Sequence, residues 1–225
     1  MDVVALRRGF RDVIPLLLGV IPFALVVGVA AGNAGLDLEL AVGMSVVVFA
    51  GASQLAALEL LGSDAPILVV IVTAVIINLR MFMYSASIAP YFKDFAAKWK
   101  ASLAYILTDQ AYALSIARFE TDEAVSRREY YIGAAVPLWI AWQIMTVVGV
   151  VVGASVPDEW GLNFAVPLVF LALLVPAVDD RPTMVAALVA GAVAVVGAGW
   201  PLNLGLPAGA TVGILAGAAA ERVMR

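Results

Sequence analysis

Long uncharged apolar runs separated by short charged connectors organise this chain. After MDVVALRRGFRD, residues 13–36 carry no charge, a stretch of 24, and about 20 apolar residues suffice to cross a bilayer's hydrocarbon. Asp37 and Glu39 mark a connector, and residues 40–58 form a second uncharged run of 19. Gly62-Ser63-Asp64 reads as a turn, with Pro66 suited to a helix start. A third segment covers residues 65–89 and ends at Pro90. Further runs fall at 101–119, 130–154 and, shorter, 163–178. Residues 182–220 hold 39 uncharged positions, enough for two short helices broken near Gly199-Trp200-Pro201. The pattern predicts an all-α polytopic membrane protein, a single transmembrane domain over 1–225 with about seven or eight segments, one or more broken or re-entrant.

Two stretches resemble each other. VGVAAG at 27–32 matches VGVVVG at 148–153, and VVF at 47–49 matches LVF at 168–170, both at an offset of 121. The pair Asp64 and Pro66 recurs as Asp180 and Pro182. An internal repeat with halves 1–120 and 121–225 is the expectation, a habit of transporters that place a site between duplicated halves.

Composition agrees with the pattern. The chain is 64% hydrophobic and 13% charged, with mean hydropathy +1.02, far from a soluble domain. It has no cysteine and no histidine, which removes disulfides, thiolate chemistry, the commonest metal ligands and the commonest general base. No metal site, no cofactor and no enzyme activity are expected. The net charge of −4 and the lack of a basic stripe give no reason to expect nucleic acid as a partner. The first run is too long for a signal peptide's apolar core and reads as a membrane helix. Arg7, Arg8 and Arg11 place the N-terminus in the cytoplasm, and Lys93, Lys98 and Lys100 claim the same side. Three full crossings would put those lysines outside, so one of the first three segments is expected to be a re-entrant hairpin.

Polar residues inside the runs carry the functional expectation. Arg80 lies ten residues before Pro90, roughly 15 Å along a helix, which is far for snorkelling to the interface. Asn78 lies two positions away on another face; Tyr84 and Ser87 share the Arg80 side, and Met81 and Ser85 the Asn78 side. Asp109 has eight uncharged residues on either side. It is the natural partner for Arg80, either in a structural bridge or as a proton carrier or substrate-charge sensor. Tyr105 and Tyr112 are candidate donors to its carboxylate. Glu59, close to Gly62, is expected at an interface. Gly51, Ala52 and Ser53 sit together in an apolar run beside Gln54. They mark either close helix packing or a helix break whose exposed backbone groups would bind a zwitterion. Pro22, in GVIPFALVVG, raises the same alternatives.

Together, GVIPFALVVGVAAG, VVVFAGASQLAALELL, NLRMFMYSASIAP and LTDQAYAL resemble the AzlC family, the large subunit of branched-chain amino acid exporters. These segments occur in family order over roughly residues 15–120. The resemblance implies a multi-pass protein of the cytoplasmic membrane. It implies export of valine, leucine, isoleucine or methionine driven by an ion gradient, alongside a small AzlD-type membrane subunit. Carried over by position, the substrate-binding candidates are Pro22, Phe23, Gly51, Ala52, Ser53, Gln54, Asn78 and Arg80, and the ion-coupling candidates are Asp109 and Gln110. Phe23, Phe49 and Met81 would line an apolar side-chain pocket. The rival reading is a non-catalytic substrate-binding membrane subunit of an energy-coupled importer.

Overall fold

The computed structural model describes residues 2–153, 178, 180–200 and 204–224, and these contain helices and turns but no strand. In chain order the helices are α1 (Val3–Asn33), α2 (Leu38–Val48), α3 (Gly51–Gly62), α4 (Ile67–Asn78) and α5 (Arg80–Ile88). A 3-10 turn (Ala89–Phe92) leads to α6 (Ala97–Tyr105), α7 (Asp109–Thr121) and α8 (Arg127–Gly153). The last two are α9 (Arg181–Val196) and α10 (Gly205–Met224). Among the described residues, four stretches are long and apolar enough to cross a membrane: Val3–Asn33, Ile67–Phe92, Arg127–Gly153 and Arg181–Gly199.

The core is the pair α1 and α8, which run parallel. Gly9 lies against Tyr130 and Ala134, Gly28 against Thr146 and Gly149, and Gly153 against Val29. A Cβ on Gly9, Gly28, Gly133 or Gly149 would collide with the backbone of the opposite helix, so small residues set this close approach. Gly28 and Gly149 are the matched glycines of VGVAAG and VGVVVG. They face each other, which gives the likeness of those two stretches a packing reason. The first helix begins ten residues before the apolar run, because Asp2 caps it by accepting from the Val4 and Ala5 N–H groups at 3.0 and 3.1 Å.

Two apolar runs that look continuous in the sequence are broken. The second is interrupted at Phe49 and Ala50, where Phe49 takes φ +28°, a left-handed conformation uncommon for a side-chain-bearing residue. After the break the chain turns back. Gly62, at the end of α3, lies beside Ala34, and a cleft of about 250 Å³ is lined from both sides by Ala30, Asn33, Leu58 and Glu59. So α2 and α3 form a V that enters and leaves at the Asn33 end of the bundle. Each arm, of 11 and 12 residues, is about half a bilayer long.

The fourth run, expected as one segment over 101–119, is a second V. Its break falls at Ile106-Leu107-Thr108, where Thr108 accepts from the Ala111 N–H at 3.2 Å and caps α7. Both arms end near the start of α1: Phe119 lies 6.3 Å from Phe92 between ring centroids, and Arg8 pairs with Asp122 at 3.5 Å. The order of span followed by V thus occurs twice, once as α1 with α2–α3 and again, running the opposite way, as α4–α5 with α6–α7. The expected sixth segment lies outside the described residues except for Val178. The break expected near Gly199 follows a 3-10 turn at Gly197–Gly199. Beyond it α10 returns along α9, with Gly213 against Ala186 and Ala190.

Candidate functional site

The tips of the two V's meet beside the α4–α5 junction. At the first tip, α3 starts at Gly51 with no side-chain cap, so the leading N–H groups have no intrahelical partner. This end is fixed to the junction: the Asn78 Nδ2 donates to Ser53 Oγ at 2.9 Å, and Ser53 Oγ donates to the Ala50 carbonyl at 2.9 Å. Ser53 is fully buried and Gln54 is 1% exposed, while Ala52 is half-buried on the same turn.

Gly51 is where it is for lack of space. A Cβ there would stand 2.5 Å from the Trp142 ring and 2.7 Å from the Phe23 ring. Phe23 meets Trp142 edge-on at 5.4 Å, and Phe49 meets it edge-on at 6.3 Å, an arrangement favourable to aromatic quadrupoles. Pro22 precedes Phe23 inside α1 and frees a carbonyl one turn back. The carbonyl end of α2 is satisfied from outside: Tyr105 Oη donates to the Val46 carbonyl at 2.7 Å and Gln143 Nε2 to the Ser45 carbonyl at 3.3 Å. Trp142 Nε1 donates to Ser45 Oγ at 3.0 Å.

At the second tip, Arg80 and Asp109 form an ion pair at 2.9 Å, their side chains 34% and 36% exposed. Asp109 occupies the first turn of α7, where a carboxylate is favoured by the helix dipole. Gln110 follows it, half-buried. Tyr105 and Tyr112 do not donate to Asp109 as expected. The Tyr105 hydroxyl is taken by Val46, and the Tyr112 hydroxyl donates to Ser87 Oγ at 2.9 Å. Tyr84, on the Arg80 face, stacks on Tyr112 at 4.5 Å.

Several buried atoms around the two tips lack a partner: Gln54 Oε1, Asn78 Oδ1, Asp109 Oδ1 and Arg80 Nε. Buried polar atoms are nearly always satisfied, and an orphan asks for an explanation. Three unused acceptors, one unused guanidinium donor and an uncapped helix N-terminus suit a small zwitterion: oxygens for an ammonium, Arg80 and N–H groups for a carboxylate. Eight of the ten candidates, Phe23, Gly51, Ala52, Ser53, Gln54, Asn78, Arg80 and Asp109, lie at the two tips or their aromatic clamp; Gln110 follows Asp109 in the first turn of α7 and Pro22 precedes Phe23 in α1.

The sequence pattern misses a second charged cluster. Asp12 accepts from Arg118 and from the Tyr130 hydroxyl, both at 2.8 Å, joining α1, α7 and α8. Asp12 sits in the charged N-terminal dozen residues, which look like a connector, so nothing marks it as helical. Trp142 is missed as well, although a buried indole N–H requires an acceptor. Glu59 is exposed at the Asn33 end, in keeping with an interfacial place.

Comparison with known proteins places the chain in a family. A family model described as AzlC protein matches residues 15–156. The chain is 32% identical over 218 residues to an uncharacterized membrane protein of Archaeoglobus fulgidus, covering 95% of this chain and 91% of that one. It is 26% identical over 194 residues to the inner membrane protein YgaZ of Escherichia coli, covering 83% and 79%. An uncharacterized membrane protein of Helicobacter pylori is 29% identical over 171 residues, covering 75% and 74%. No solved structure matches the chain. The helix-breaking and ion-pairing residues lie mostly inside the matched region, and the chain belongs to the AzlC family of membrane proteins.

Proposed function

We propose that this chain is the large subunit of a secondary transporter that exports branched-chain and other hydrophobic amino acids across the cytoplasmic membrane. It works with a small AzlD-type membrane subunit, is driven by an ion gradient and is not an enzyme. The observation that carries this reading is the meeting of two helix breaks, entered from opposite ends of the bundle, at Asn78 and the Arg80–Asp109 pair. Discontinuous helices that expose backbone polarity at mid-depth are how transporters hold small charged solutes.

The charges fit one orientation. Arg7, Arg8, Arg11, Lys93, Lys98, Lys100, Arg127 and Arg128 belong to the end where α1 starts; Asp37, Glu39, Glu59 and Asp64 belong to the other. The positive-inside rule then puts the N-terminus in the cytoplasm. The α2–α3 V does not cross, which brings Lys93 to the cytoplasmic side as the rule requires.

In this mechanism the substrate carboxylate meets Arg80, and the oxygens of Asp109, Asn78 and Gln54 accept from its ammonium. A proton reaching Asp109 from the outer side cancels the carboxylate's charge and expels the ammonium it held. On the cytoplasmic side the proton leaves Asp109, and Arg80 pairs with it again. Substrate leaves as the proton enters, which couples the two flows. The test is efflux of labelled leucine from cells that express the chain, with and without the small subunit, before and after the proton gradient is collapsed. Efflux that needs both supports the reading. Absent efflux with retained high-affinity binding of another ligand would favour the importer subunit instead.

A further inference from the structure

Between α5, the 3-10 turn, α6 and α8 lies a cavity of about 210 Å³, lined chiefly by Ser85, Ile88, Phe92, Leu103, Leu107 and Tyr131. We infer that this cavity receives the aliphatic side chain of the transported amino acid and sets the size of side chain accepted. The inference rests on the transport reading and adds the residues that select among substrates.

Position is the first argument. Along the α4–α5 rod, Asn78, Met81, Ser85, Ile88 and Phe92 follow one another at steps of three or four, so they share one face. The cavity is therefore the continuation of the stripe that begins at Asn78, which is bonded to the α3 tip. Ser85 lies five residues from Arg80, about 7.5 Å along the axis, and on the Asn78 side of α5, so a ligand held by Arg80 would reach the cavity along the Asn78 and Met81 face. Leu107 closes the same end and belongs to the α6–α7 break itself.

Chemistry is the second. Of the cavity's polar groups, Tyr131 Oη donates to the Leu103 carbonyl at 3.0 Å, and Lys100 Nζ, at the mouth, donates to the Lys93 carbonyl at 2.7 Å. What remains is hydrocarbon, from Ile88, Phe92, Leu103 and Leu107, buried to 7% exposure or less. An apolar cavity of about 150 Å³ stays dry and takes a ligand the size of benzene. This one, whose rim at Ser85, Ala89, Lys100 and Ala104 is exposed, has room for a leucine, isoleucine or methionine side chain, and a cationic side chain would meet the Lys100 ammonium at its mouth.

Ala104 also lines the cavity and is not among the residues assigned to the head group. The experiment measures equilibrium binding of radiolabelled leucine, alanine and phenylalanine to the purified chain together with its small subunit. It compares wild type with Ala104→Phe, which fills the cavity, and Leu107→Ala, which enlarges it, each checked for folding by size-exclusion profile and helical circular dichroism. Ala104→Phe is expected to weaken leucine binding about tenfold or more, as loss of an apolar pocket does, while alanine binding stays within about twofold. Leu107→Ala is expected to improve phenylalanine binding relative to leucine. Leucine binding that Ala104→Phe leaves intact, or an equal loss of leucine and alanine in a folded protein, would overturn the pocket alone. A wild-type chain that binds no amino acid would overturn the transport reading and the pocket together.

Discussion

The two V's share an outline and differ in what holds their tips. The α2–α3 tip is buried and held by neutral contacts: an aromatic clamp on Gly51, a Ser53–Asn78 hydrogen bond, and a strained Phe49 fixed between Trp142 and Tyr105. The α6–α7 tip is half-exposed and held by an ion pair and a threonine cap, with its far end tied to α1 through Arg118 and Asp12. Neutral close packing resists rearrangement, since interiors packed like crystals have few alternative arrangements. A partly exposed ion pair such as this one holds its two groups only weakly, so a ligand's charge can take the place of one of them. Under the proposed mechanism the first V would be the fixed half of the site and the second the half that responds.

This contrast can be broken at graded points. Gly51→Val has the largest expected effect. Its side chain would drive into Trp142 and Phe23, overpacking worth about 1–3 kcal/mol or more, and should appear as loss of folded, membrane-inserted protein on a fluorescence size-exclusion trace. Arg80→Ala comes next. It should abolish leucine efflux and lower thermal stability, because Asp109 is left unpaired at depth. The cost should fall below the roughly 3–5 kcal/mol typical of fully buried pairs, the pair being about one-third exposed. Combining it with Asp109→Ala should restore much of the stability but none of the transport. A double variant as unstable as the single would show that the pair is not the relevant contact.

Thr108→Ala removes the α7 cap, a loss of about 0.5–2 kcal/mol. Hydrogen exchange should rise in α7 and stay unchanged in α3. Equal exchange in both V's would erase the proposed distinction. The smallest effect is expected of Tyr112→Phe, which deletes the bond to Ser87, a net contribution of about 0.5–1.5 kcal/mol. Efflux should persist at a reduced melting temperature.

Much of this architecture is legible in the amino-acid sequence. The lengths of the uncharged runs mark the long helices, and the conflict between Arg7 and Lys93 requires a segment that does not cross. The isolation of Arg80 and Asp109 in apolar sequence is enough to pair them, because an unpaired charge at depth is so costly. The break after Phe49 is readable as an alternative from Gly51, Ala52 and Ser53. The second break is not, since Ile106, Leu107 and Thr108 look like ordinary helix interior and only the Thr108-Asp109 pair hints at a cap. Asp12 escapes because charge near a terminus reads as solvent-facing. Its partners, Arg118 and Tyr130, lie 106 and 118 residues away, a separation that no local pattern reports.

The central claim is that Asp109 carries the coupling ion while Arg80 meets the substrate. The most direct measurement reconstitutes Asp109→Asn with the small subunit in vesicles and compares leucine counterflow, which needs no gradient, with gradient-driven leucine efflux. Asparagine keeps an acceptor for Arg80 but cannot take up the proton. Leucine counterflow is expected to weaken, because the neutral amide stands in for protonated Asp109, and the exchange that remains is expected to show no response to an imposed proton gradient. Gradient-driven efflux surviving in Asp109→Asn would contradict it.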